Sequence, residues 1–74
     1  MTRWVYNTAE GLAEIVASPR CGYTLIFDGD ALEWHASPHS AAEALANGTC
    51  SWPSFGDPSE LGVPEEISGW RRAR

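Results

Sequence analysis

Apolar positions in the first quarter of the chain recur at helical spacing. Leu12, Ile15 and Val16, together with Ala9 and Ala13, fall on one face of a helix, and Asn7 followed three residues later by Glu10 has the spacing of a capping box. The pattern predicts a helix that opens at Asn7 and ends before Pro19, because the residue ahead of a proline is pushed out of the α region. Gly11 weakens that helix by about 1 kcal/mol relative to alanine. Ahead of it, the short aromatic and β-branched run WVY at residues 4–6 reads as an edge strand.

The period then changes to two. YTLIF (Tyr23–Phe27) is rich in β-formers, Asp28-Gly29 is a strong turn signal, and ALEWHA at residues 31–36 resumes alternation, which together predict a hairpin. Tyr23, Leu25 and Phe27 share one face of its first strand. Strict alternation puts Leu32, Trp34 and Ala36 on one face of the second, with Glu33 and His35 opposite. A lone hairpin is marginal in water, so its apolar face needs a cover. The next segment supplies one: Ser37 is a good N-cap, Pro38 suits the first helical position, SAAEALA follows, and Asn47-Gly48 closes the helix. Ala41, Ala42 and Leu45 form a small-residue face suited to close approach on a sheet.

From Thr49 onward Pro53, Pro58 and Pro64 alternate with Gly56, Gly62 and Gly69 and break any long element. Trp52, Phe55, Leu61, Val63, Ile67 and Trp70 are spaced to dock on the body, so this is an irregular docked tail, not a linker. Short helical turns are expected at residues 58–61 and 64–68. The fold expectation is one α+β domain over residues 1–74: a small antiparallel β-sheet packed by two helices (body, residues 1–48), with an irregular Pro/Trp-rich C-terminal tail (residues 49–74).

At 74 residues such a domain buries only about 60% of the surface of its unfolded chain, and its core is worth roughly 3–5 kcal/mol. No run approaches the roughly 20 apolar residues of a membrane span, and the start MTRWVYN lacks a signal-peptide layout, so a cytoplasmic protein with no membrane partner is expected. Cys21 and Cys50 are then reduced thiols, a disulfide between them being the minority alternative.

Charge narrows the partners. Residues 21–70 contain no Lys or Arg but hold Asp28, Asp30, Glu33, Glu43, Asp57, Glu60, Glu65 and Glu66, while the cations are Arg3, Arg20, Arg71, Arg72 and Arg74. Binding nucleic acid needs cations against phosphate, so direct contact with it is not expected. A basic protein surface is the natural complement, although an acidic balance also serves solubility alone.

No chemistry of a recognised kind emerges. Neither cysteine belongs to a C-x-x-C pair and the two histidines straddle a strand-to-helix junction, so no metal is expected. Asp28-Gly29-Asp30 opens like a calcium loop but lacks its later ligands. His35 and His39 neighbour Ser37 and Ser40 in what reads as ordinary capping, with no oriented base beside a nucleophile, no phosphate loop and no cofactor. The expectation is a non-enzymatic protein that binds a basic, nucleic-acid-handling protein through Asp28, Asp30, Glu33, Trp52, Phe55, Glu65 and Glu66. The alternative is a structural or accessory subunit, or a homo-oligomer, held through tail aromatics.

FDGDALEW, SPHSAAEALANG and SWPSF through VPEEISGW together resemble a family of small bacterial and prophage proteins with no established activity. Its pattern is a hairpin with a D-G-like turn and a tryptophan in the second strand, an Ala-rich helix, and a Trp/Pro tail. The likeness spans residues 23–70 and implies the fold and a bacterial or phage origin. In size and acidity the chain is also similar to anti-CRISPR-type bacteriophage inhibitors, some of which cover the basic nucleic-acid surface of their target.

Overall fold

A computed structural model describes residues 3–50 and 61–73. Five strands, β1 (Arg3–Thr8), β2 (Gly11–Ala17), β3 (Tyr23–Phe27), β4 (Asp30–His35) and β5 (Arg71–Ala73), form one antiparallel sheet in the order β4-β3-β2-β1-β5. The helix α1 (Pro38–Asn47) packs on β2, β3 and β4, and a 3-10 turn (Ile67–Gly69) leads into β5. The class is α+β, but among the described residues there is one α-helix where two were expected.

The segment predicted as the first helix is the end of β1, a tight turn and β2. Leu12, Ile15 and Val16 satisfy a helical spacing, yet Ala13 and Ile15 are the fully buried positions, two residues apart. Ile15 and Val16 are β-branched and favour an extended chain. Pairing on both sides settles the matter, since β2 bonds to β1 from Gly11 to Val16 and to β3 from Ala13 to Ala17. The turn is tied by Thr8, not capped by Asn7. Thr8 Oγ1 accepts from the amides of Glu10 (3.1 Å) and Gly11 (3.0 Å) and donates to the Gly11 carbonyl (2.7 Å). Strand β1 is longer than the predicted run and is not an edge; β4 and β5 are the edges.

The β3-β4 hairpin forms around Asp28-Gly29, with φ of 51° and 86°, the two positive values that a two-residue turn of type I′ requires. Its faces differ from strict alternation. Phe27 pairs with Asp30 and Ile26 with Ala31, but Leu25 pairs with Glu33, Thr24 with Trp34 and Tyr23 with His35. The one-residue bulge at Leu32 shifts every later residue of β4 by one position. Glu33 and His35 therefore share the helix-covered face with Leu25 and Tyr23, and Trp34 lies on the other face, 54% exposed. Its indole N–H donates to the Cys21 carbonyl at 3.0 Å.

Helix α1 follows its sequence signals. Ser37 Oγ accepts from the Ser40 amide at 3.2 Å, Pro38 occupies the first turn, and Gly48 takes the left-handed conformation with φ of 73°. Ala41, Ala42, Ala44 and Leu45 are buried against Ala13, Ile15, Leu25 and Phe27 in one core cluster. Ile15, Leu25 and Leu45 are its largest fully buried side chains, each worth about 1.5–3 kcal/mol relative to exposure.

The tail joins this core through Val63 and Trp70. The Trp70 ring lies 6.0 Å from that of Tyr6, and its indole N–H donates to the Pro64 carbonyl at 3.0 Å. The tail does not stay irregular, because β5 pairs with residues Arg3, Trp4 and Val5. Of the two expected turns, residues 58–60 lie outside the described residues, and the second forms later than predicted, at Ile67–Gly69. Pro64 does not open it but packs against Gly69, where a Cβ would come within 2.6 Å of the proline ring. Cys21 is an exposed free thiol and Cys50 a buried one. No helix among the described residues is long and apolar enough to cross a membrane.

Candidate functional site

Two clusters arise at opposite ends of the sheet. The first is acidic. In an antiparallel meander the β1-β2 and β3-β4 turns emerge at the same end, which brings Glu10 beside Asp28 and Asp30, all exposed. The Asp28 amide donates to the Leu12 carbonyl at 2.8 Å, locking the second turn against the start of β2. Glu65 and Glu66, also exposed, precede the 3-10 turn that enters β5 from this same end. The opposite end carries Arg3 at the start of β1 and Arg20 in the β2-β3 loop, with Arg72 paired against Trp4. Of these, Arg3 meets Glu14 at 3.6 Å. The strands span about 20 Å at roughly 3.3 Å per residue, which separates the turn carboxylates Glu10, Asp28 and Asp30 from Arg3 and Arg20, while Arg71 lies between them opposite Val5.

Of the residues expected to bind a partner, Asp28 and Asp30 are exposed at this end, and Glu65 and Glu66 are exposed ahead of the 3-10 turn. Glu33 is not among them: the bulge turns it toward the helix, where it is partly buried. Trp52 and Phe55 lie outside the described residues. Glu10 was not singled out in the sequence because it was read as part of a helix; alternation of Ala13 and Ile15 was the signal for a strand and hence for a turn at Ala9-Glu10.

The second cluster was not expected. Glu33 Oε2 is hydrogen-bonded to His35 Nε2, and His35 Nδ1 lies 2.9 Å from Ser40 Oγ. Strand β4 supplies the first two residues, two apart on one face, and the first turn of α1 supplies the third. A carboxylate can only accept, so in the neutral ring that carries its proton on Nε2 toward Glu33, Nδ1 is the acceptor for the Ser40 hydroxyl. The side chains of His35 and Glu33 are both largely covered, at 13% and 23% exposed, while Ser40 is at the surface. Burial and then the negative charge of Glu33 raise the pKa of Cys50, which places that carboxylate's field at the edge of the core. An oriented base beside a serine is thus present, where sequence spacing read only capping; Ser37, not Ser40, is the cap.

Among the described residues no group of three or more His, Cys, Asp or Glu is placed to hold a metal ion. A cleft of about 320 Å³ lies between β1 and the entry to β5, lined by Val5, Tyr6, Asn7, Gly69 and Arg71. No family model, curated protein or solved structure matches the chain.

Proposed function

We propose that this domain acts by binding a basic protein surface, of the kind that handles nucleic acid, through the acidic end of its sheet. The observation that carries the reading is the strand order, which gathers Glu10, Asp28 and Asp30 at one end, with Glu65 and Glu66 adding exposed carboxylates ahead of β5. Carboxylates so grouped reinforce one another's field, which steers a cationic partner and speeds its encounter. A phage-encoded inhibitor of host defence, anti-CRISPR-like in covering its target's nucleic-acid surface, is the sharpest form of this proposal. Self-association through tail aromatics is less favoured, since Trp70 is already buried within its own chain.

The test is retention of partners from a bacterial lysate at low and moderate salt, compared with a variant carrying Glu10→Lys, Asp28→Asn and Asp30→Lys. Asn suits position 28 because it tolerates the positive φ there. A basic nucleic-acid-handling protein held by the native chain, released by salt and lost with the variant is expected. Retention of the same protein by the variant, or resistance to salt, refutes the placement of the surface.

A further inference from the structure

We propose that Ser40 is an activated nucleophile and that Glu33, His35 and Ser40 form an acyl-transfer site for small activated carboxylic esters. This inference is independent of the binding surface, because the site lies at the other end of β4 from Asp28 and Asp30. Two observations carry it: the 2.9 Å contact of His35 Nδ1 with the surface hydroxyl of Ser40, and the carboxylate on the other ring nitrogen. A nucleophile, a base and a group that orients the base are the parts that serine catalysis needs, recognised by geometry and not by order in the chain. Here the ring is used in the reverse sense to the usual serine hydrolase, with the hydroxyl on Nδ1 and the carboxylate on Nε2.

The position on α1 adds a favourable field. Pro38 has no N–H, the amide of Ser40 is given to Ser37 Oγ at 3.2 Å and that of Ala41 to the Ser37 carbonyl at 3.3 Å. Ser40 thus stands in the first turn of α1, at the positive end of the helix, whose field favours a developing oxyanion. In the reaction Ser40 Oγ bonds to the ester carbonyl carbon as its proton passes to His35 Nδ1, and Glu33 stabilises the imidazolium. The bond from that carbon to the alcohol oxygen breaks, and the departing oxygen takes the proton from His35. Water repeats the sequence on the acyl-serine, returning Ser40 and releasing a carboxylic acid. An exposed serine suits a compact acyl group presented at the surface.

The experiment treats the full chain with a fluorophosphonate, locates the adduct by mass spectrometry, and follows p-nitrophenyl acetate hydrolysis in parallel. One adduct on Ser40 is expected, none with Ser40→Ala, and labelling slower by at least about a hundredfold with His35→Gln, the scale of lost general-base assistance. Glu33→Gln should slow it as well. Ser40→Ala retains the backbone amide that Ser37 caps, and its circular dichroism melt verifies the fold. An adduct elsewhere with Ser40 untouched, no adduct at all, labelling no faster than in the urea-unfolded chain, or native ester hydrolysis by Ser40→Ala would each overturn the assignment.

Discussion

Gly22 sits where backbone and ring meet most closely, and its replacement gives a sharp test of how β4 is held. Its φ is 74°, and a Cβ built there would lie 2.2 Å from the Trp34 indole. Gly29, with φ of 86°, has nothing within 4 Å of its Cβ position. Gly29→Ala should therefore cost only the left-handed penalty of an L-residue, about 1–2 kcal/mol. Gly22→Ala carries the same penalty and must also expel the ring, losing the bond from Trp34 to the Cys21 carbonyl, about 0.5–1.5 kcal/mol more, and its stacking on the backbone. The sum, about 2–4 kcal/mol, is most of the roughly 3–5 kcal/mol such a core supplies. Urea unfolding should be followed by far-ultraviolet circular dichroism, since Trp34 fluorescence would report its own displacement. Gly22→Ala should have the lower midpoint, and adding Trp34→Ala should recover part of the loss by removing the clash. Equal midpoints for the two glycine variants would refute the stacked arrangement.

Three further outcomes follow from the cap and the thiols. Ser37→Ala removes the side-chain acceptor for the Ser40 amide and should cost about 1 kcal/mol, lowering the melting temperature by about 4–8 °C; a change no larger than that of Ser40→Ala would refute the cap. Iodoacetamide should modify exposed Cys21 in the native protein and buried Cys50 only on unfolding, read by mass spectrometry. Because burial raises the Cys50 pKa in the folded state, its contribution to stability is complete below the unfolded thiol's value, about 8.5, and is lost as pH rises through the folded value. Cys50→Ala should flatten that alkaline decline in urea midpoints, and an unchanged slope would refute the cause.

The elements legible in the sequence are those whose signals are local. Ser37, Pro38 and Gly48 each satisfy an orphan group or a backbone angle within one turn of α1, and Asp28-Gly29 fixes its own hairpin, so both were placed correctly. Strand β2 was not, because Leu12, Ile15 and Val16 fit either period and only pairing with β1 and β3, remote from the residues themselves, chooses between them. Three-residue β5 is too short to carry a period at all, and it exists because β1 offers an open edge. Reading β2 as a helix also hid the acidic end, since a helix over residues 7–18 has no turn at Glu10.

The second cluster turned on one residue. A two-residue turn with Phe27 against Asp30, continued without irregularity, would pair Leu25 with Leu32, Thr24 with Glu33 and Tyr23 with Trp34. That register gives the faces that alternation predicts, with Trp34 inside and both Glu33 and His35 outside. The bulge at Leu32 moves Glu33 opposite Leu25 and His35 opposite Tyr23. A one-residue slip reverses the face of every residue beyond it, so the same step that carries Trp34 outward onto Gly22 carries His35 inward beneath α1. Leu32 still packs against the core, which lets the strand keep its apolar anchor while changing register. Glu33, His35 and Ser40 are brought together by that shift and the placement of the helix N-terminus. A variant that deletes Leu32 would remove the bulge yet keep Glu33 opposite Leu25, Trp34 opposite Thr24 and His35 opposite Tyr23, so it should retain the contact of His35 with Ser40 and lose only the apolar anchor.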